Sequence, residues 1–171
     1  MNARFAPPVP SVLGDDHALH IVARVGGERF AFSVSHVEEA VDAPTVEWVP
    51  VAPQGMLGQL MHRGHMVPAW DAGSVFRLRA PAAAGAAIVL RDGPRRIALV
   101  VDDVVEMARI EPNDVHTVPG GADLDGVLSG VCFQDRNVAK KSAGALVNIV
   151  RVNALATLVS SRGTFAEGMT L

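Results

Sequence analysis

A chain of 171 residues has room for one ordinary domain or for two small barrels fused side by side. Its formal net charge of −3, with no long run of either sign, argues against nucleic acid or an anionic membrane surface as the main partner. Apolar residues make up 49% of the chain while aromatics make up 5% and Tyr is absent, so either apolar surface is left over for partners or alanine carries the apolar fraction; composition alone leaves both open.

Residues 1–16 (MNARFAPPVPSVLGDD) are Pro-rich and non-periodic, which predicts a flexible tail and argues against an export signal. Two β runs then flank Gly26-Gly27, from Leu19 to Val25 and from Arg29 to Val34, and read as a hairpin. A mixed run, His36 to Val41, follows; its periodicity fits a strand or a helical turn equally. Next comes an apolar run that ends in proline, Val46 to Pro50. Met56 to His62, a turn at Arg63-Gly64, and His65 to Asp71 predict a further hairpin, with Pro68 placing its strand at an edge or a bulge. Ala80-Pro81-Ala82-Ala83-Ala84-Gly85 is a connector of small residues.

Beyond the connector the pattern repeats. Residues 20–41 and 87–108 align without a gap at an offset of 67, with nine identities: Ile21/Ile88, Val22/Val89, Arg24/Arg91, Gly26/Gly93, Arg29/Arg96, Ala31/Ala98, Val34/Val101, Val37/Val104 and Glu39/Glu106. About one to two would be expected from average composition. The second copy continues through its own mixed run, Asp103 to Ala108, and a second apolar run ending in proline, Val115 to Pro119. Two more strand-like runs follow, Val127 to Gln134 and Gly144 to Val152. Between them residues 135–143 (DRNVAKKSA) form a polar insertion without a counterpart in the first half. Asn153 is placed to cap a short helix carrying Leu155, Leu158 and Val159, with Gly163 just beyond its end. Many short strands, glycine turns and a duplicated pattern predict an all-β chain of two small barrels with a short C-terminal helix.

Catalytic signatures are missing: there is no G-x-S-x-G, no P-loop and no G-x-G-x-x-G. Cys132 lies in an apolar run, as a buried inert thiol would, and a single cysteine, unable to form an internal disulfide, fits a reducing cytosol. Adjacent acids such as Asp102-Asp103 face opposite sides of a strand and would not share a site. Two H-x-x-H pairs, His17/His20 and His62/His65, fall short of a zinc site because no third ligand is evident, although a small-ligand or metal-binding barrel is the alternative of a different class. No apolar run approaches the ~20 residues of a membrane span; Ile97 to Val101 is far shorter. Arg63 stands out among the charged residues: at a tight turn within an apolar hairpin it is either an ordinary surface arginine or a guanidinium offered to a partner carboxylate with little entropy left to lose, and the residues alone leave both open.

The hairpin run Met56-Leu57-Gly58-Gln59-Leu60-Met61-His62-Arg63-Gly64-His65-Met66-Val67-Pro68-Ala69-Trp70-Asp71 resembles the pattern of the CheW family of bacterial chemotaxis coupling proteins: a glycine, an Arg-Gly turn, then a proline and an aspartate. The resemblance runs from about residue 18 to 158 and includes Val37-Glu38-Glu39, Val100-Val101-Asp102-Asp103-Val104 and Leu146-Val147-Asn148-Ile149. It implies two similar SH3-like five-stranded barrels, about 17–82 and 83–158, with strand exchange between the halves shifting that boundary and tails at 1–16 and 159–171. It further implies a cytoplasmic, non-enzymatic adaptor without cofactor or metal, recruited to membrane receptor arrays without inserting in the bilayer. Such an adaptor docks on the regulatory domain of a CheA-type histidine kinase and on the cytoplasmic tip of chemoreceptors; a coupling protein of twitching motility or another kinase pathway is the variant reading. By motif match, receptor contact is carried to Val37, Glu39, Gly58, Arg63 and Gly64, with Val101 and Val104 lining the neighbouring groove. The chain departs from the family pattern where Met61 and His62 replace the usual asparagine and apolar residue, and where Ala72-Gly73 replaces the usual leucine.

Overall fold

The computed structural model describes residues 18–118, 122–134 and 145–163; the N-terminal stretch, the 135–143 insertion, Pro119 and the last eight residues lie outside them. Among the described residues ten strands form two five-stranded sheets. In chain order they are β1 (Leu19–Val25), β2 (Glu28–Ser33), β3 (Val37–Asp42), β4 (Met56–His62), β5 (His65–Asp71), β6 (Ala86–Asp92), β7 (Arg95–Val101), β8 (Asp103–Arg109), β9 (Leu128–Gln134) and β10 (Ala145–Val150). Helix α1 (Ala72–Val75) follows β5, and α2 (Val152–Gly163) follows β10 at the equivalent place in the second half. The first mixed run resolves into both of its alternatives, a 3-10 turn at Val34–His36 and then strand β3.

The spatial order is β8-β1-β2-β10-β9 in one sheet and β3-β6-β7-β5-β4 in the other. Strands are therefore exchanged between the halves: β3, β4 and β5 of the first share a sheet with the β6–β7 hairpin of the second, and β8, β9 and β10 of the second share one with the β1–β2 hairpin of the first. Each sheet curls into a small barrel, and a backbone bridge joins its far edge. Glu47, just after β3, exchanges hydrogen bonds of 2.7 and 2.8 Å with Gln59 of β4, and His116, just after β8, does the same with Val131 of β9 at 2.8 and 2.9 Å.

Strands of the two central hairpins are buried on both faces, and the alternation of side chains sorts them by size. Small residues fill the barrels: Val22, Ala31, Ala108, Cys132 and Val147 in one, Val67, Ala69, Ala87, Val89, Ala98 and Val100 in the other. Larger ones pack between the sheets, including Phe30, Phe32, Trp70, Ile88, Leu90 and Leu99, joined there by Val75, Phe76, Leu155 and Val159 of the helical segments. Phe30 and Phe76 stack with ring centroids 4.0 Å apart, tying the first barrel to the segment that leaves the second.

Two local expectations are corrected. Pro68 lies on an interior strand, not an edge, and the irregularity in the β4–β5 ladder is at Leu57; proline is tolerated because the parallel ladder to β7 begins only at Ala69, so no N–H is demanded at Pro68. Asn153 is not the cap of α2. The helix starts at Val152, Leu155 N donates to the Arg151 carbonyl, and Gly163 is still helical. The better capped helix is α1, where buried Asp71 accepts from the backbone N–H groups of Gly73, Ser74 and, across the connector, Ala82. Asp102 is a clamp of the same kind: one carboxylate oxygen accepts from Gly26 N (2.8 Å) and the other from Ala83 N (2.6 Å).

His20 is buried on β1, its Nδ1 3.0 Å from the Ala18 carbonyl. Burial lowers its pKa from 6.5, and the hydrogen bond to Ala18 only partly opposes this. Acidification below about 6.5 therefore protonates the unfolded chain first, and the contribution of neutral His20 to stability is lost as the pH falls toward its folded value. Denaturant titrations of parent and His20→Gln should show a stability difference that shrinks from pH 7.5 to pH 5; a constant difference would place the effect of His20 in packing alone.

Candidate partner-docking site

The seam of the second barrel, where the β3 edge meets β4, gathers charge that a strand pattern alone does not predict. Val37 pairs with Leu90 and Glu39 with Val89, leaving Glu38 as the extra residue of a β-bulge. The bulge is repeated in the second half, where Val105 is skipped between Val104 and Glu106 against β1. A bulge re-aims side chains, and here it lets two consecutive carboxylates reach one imidazole. His62, the last residue of β4, has a side chain only 3% exposed; its Nε2 is 3.3 Å from Glu38 Oε2 and its Nδ1 is 3.0 Å from Glu39 Oε2. The Glu38 carboxylate also receives Arg96 Nε at 2.9 Å and stands 3.6 Å from Arg91 Nη1. The Arg96 hydrogen bond holds its pKa below the ordinary carboxylate value against the opposing effect of burial, with the charges of Arg96, Arg91 and His62 adding to the same direction.

Arg63 follows at the turn with φ 48°, its side chain 69% exposed and its Nε 3.8 Å from the same Glu39 oxygen that faces His62. Gly64 completes the turn at φ 81° and is exposed. On the outer face of this hairpin Met61 and Met66 are cross-strand partners, and both are exposed. The corresponding hairpin of the other barrel presents a like pair, Phe133 against Leu146, also exposed.

Of the residues that the sequence singled out, the structure thus brings Glu39, Arg63 and Gly64 together on one surface. Val37 and Val104 are half-buried and pack on the central core from opposite sheets. Val101 is fully buried in that core and offers no surface in this conformation. Gly58 is buried too, and its reason is on the page: a Cβ there would overlap the Glu47 carbonyl that closes the barrel. Gly130 stands at the equivalent closure, where a Cβ would overlap Val115 and lie 2.8 Å from the His116 carbonyl oxygen. The sequence does not point to Glu38, Arg91 and Arg96 as site residues, although Arg24/Arg91 and Arg29/Arg96 are repeat identities, and His62 enters it only within an H-x-x-H pair. Those arginines serve the crossovers: Arg24 pairs with Asp103, Arg29 with Glu106, and Arg91 and Arg96 with Glu38.

His65, on the neighbouring strand, is exposed, and His17 lies outside the described residues. Among the described residues no group of three His, Cys, Asp or Glu side chains is arranged to hold a metal. Cys132 is buried, and desolvation raises its thiol pKa, with Asp114 adding to the effect. No described helix is long and apolar enough to cross a membrane.

The sequence profile of the CheW-like domain matches residues 20–159. The chain belongs to that family. No curated protein sequence matches it significantly. Among solved structures it is similar in fold to the scaffolding protein TtCheW from Thermoanaerobacter tengcongensis, with a TM-score of 0.69 and 18% identity over 91% of this chain and 93% of that one. The two-barrel architecture implied by the family resemblance is the architecture observed.

The closure argument separates the glycines of this CheW-like chain. Gly58→Ala should cost about 3 kcal/mol, because backbone must move to admit the methyl group. Gly64→Ala, with nothing within 4 Å, should cost only the ~1 kcal/mol of a left-handed backbone. Equal losses in denaturant midpoint would refute the assignment of Gly58 to barrel closure.

Proposed function

We infer that this CheW-like chain is a non-enzymatic adaptor that couples chemoreceptors to a CheA-type histidine kinase. The observation that carries the reading is the β4–β5 hairpin: an exposed, turn-held Arg63 beside Glu39, flanked by the exposed Met61–Met66 pair, at the place where the family motif has its Arg-Gly turn. An apolar contact with a charged rim is the anatomy of a docking surface that binds through packing and orients through charge. A receptor helix would lay its apolar side on the methionines while a carboxylate engages Arg63. In this reading Val37 and Val104, which pack on the central core from opposite sheets, line the neighbouring groove, and Gly58 keeps the barrel closed. The second exposed apolar pair, Phe133 with Leu146, gives the other barrel a surface of its own, and two modest contacts on one rigid body suffice for a cooperative assembly.

The test is capture of a receptor cytoplasmic fragment and of a kinase regulatory domain by the full chain, with Arg63→Ala alongside. Both partners should bind the parent. The variant should lose receptor affinity by about tenfold, as expected for an arginine at the centre of an interface, while kinase capture is unchanged. Binding of neither partner by the folded parent would overturn the adaptor reading.

A further inference from the structure

His62 is the residue that neither the fold nor the docking surface accounts for. It occupies a buried position at the seam where the family pattern has an apolar residue, and it places each ring nitrogen against a different carboxylate, Glu38 and Glu39. A neutral imidazole has one N–H and one lone pair, so one nitrogen of the neutral ring must turn its lone pair toward a carboxylate oxygen. Nε2 indeed lacks a well-formed hydrogen bond here. The doubly protonated ring, in contrast, donates toward both acids.

The charges facing His62 come from four elements. Strand β3 supplies Glu38 and Glu39, the turn supplies Arg63, and β6 and β7 supply Arg91 and Arg96; exposed His65 is its cross-strand partner on β5. Arg91 and Arg96 both engage Glu38, and the Arg96 hydrogen bond leads the effects that lower its pKa, with the charges of Arg96, Arg91 and His62 adding to it. Glu39 is different. Among the described residues its cationic neighbours are His62 and Arg63, and both approach the same oxygen, at 3.0 and 3.8 Å.

We propose that His62 is a positioning residue that sets how firmly Glu39 holds Arg63. Protonated His62 takes up the Glu39 charge and leaves the guanidinium available to a partner carboxylate; neutral His62 returns Glu39 to Arg63. Docking through Arg63 therefore strengthens on protonation of His62. The consequence for docking rests on the adaptor reading, whereas the sharing of Glu39 does not.

The first arm of the test is nuclear magnetic resonance of the free, full chain from pH 8 to 5, following the His62 ring and the Arg63 Nε–H group. The Arg63 signal should move with the midpoint of His62, and its Hε should exchange faster with water at the acid end. In Glu39→Gln and in His62→Leu the Arg63 signal should stay flat; His62→Gln, which keeps a polar side chain but not the charge, should behave alike and covers the case in which His62→Leu does not fold. The second arm is receptor-fragment capture at pH 6 and pH 8. The parent should bind about two- to fivefold more tightly at pH 6, the size of an exposed ion pair gained or lost, and the His62 variants should show no such difference. An Arg63 signal that ignores the His62 titration, or a pH dependence that survives in both His62 variants, would overturn the proposal. Coupled titration with no capture at either pH would uphold the His62 assignment and sink the adaptor reading instead.

Discussion

The exchange of strands between the two halves is the constraint on which the remaining structure depends. Because β3 completes the sheet of β4 to β7 and β8 completes that of β1, β2, β9 and β10, each barrel needs backbone from both copies of the repeat. Neither copy can satisfy its edge hydrogen bonds alone, and a half left by itself would expose an apolar edge that pairs readily with other chains. The exchange also fixes the charges. Arg29 on β2 pairs with Glu106 on β8, and its repeat counterpart Arg96 on β7 pairs with the bulge residue Glu38 on β3, one place before Glu39, the counterpart of Glu106, so a like stitch is made twice. The arginines repeated at an offset of 67 are therefore residues of the crossover, which explains why a duplicated unit keeps them while its loops diverge.

Burial on both faces of β1, β2, β6 and β7 follows from the same topology. A five-stranded barrel is narrow, and its interior admits alanine and valine with a few larger side chains, whereas the space between the barrels takes the phenylalanines, Trp70, leucines and isoleucines. This accounts for a composition rich in apolar residues yet poor in aromatics. Alanines such as Ala31, Ala69, Ala87 and Ala98 are fully buried where nothing bulkier fits. The surplus is not wholly consumed inside, since Trp48, Val51, Met61, Met107 and Phe133 remain well exposed. Both accounts of the composition thus hold together.

Much of this was legible because the repeat carries its own physics. Glycine turns at Gly26 and Gly93, paired Val22/Val89 and Ala31/Ala98 inside the barrels, and Val37/Val104 against the central core occupy equivalent positions, as the aligned sequence requires. The site was only partly legible. Arg63 and Gly64 announce themselves as a turn, but the convergence of Glu38 and Glu39 on His62 contradicts the rule that neighbours in a strand face apart. That rule fails at a bulge, and a bulge has no signature here in residue type: Glu38 and Val105 fill equivalent bulges with unlike side chains. The closure role of Gly58 and Gly130 was invisible for a related reason. A glycine demanded by a passing carbonyl, that of Glu47 at Gly58 and of His116 at Gly130, and not by a turn, looks in the sequence like any other glycine in a strand.

Closure of the second barrel is shared between two kinds of bond, and the division matters for the docking surface. The Glu47–Gln59 bridge is backbone to backbone, made possible by Gly58, and is insensitive to charge. A few residues further along the same seam, contact between β3 and β4 is carried by His62, Arg63, Glu38 and Glu39 side chains. Had the ion cluster been the sole closure, any partner drawing Arg63 away would have loosened the barrel that presents it. In the proposed docking, the backbone bridge would hold the hairpin where the fold has put it while Arg63 exchanges Glu39 for a partner carboxylate. A surface of this kind needs a rigid frame and a replaceable counter-ion, and the seam provides both within one short stretch of β3 and β4.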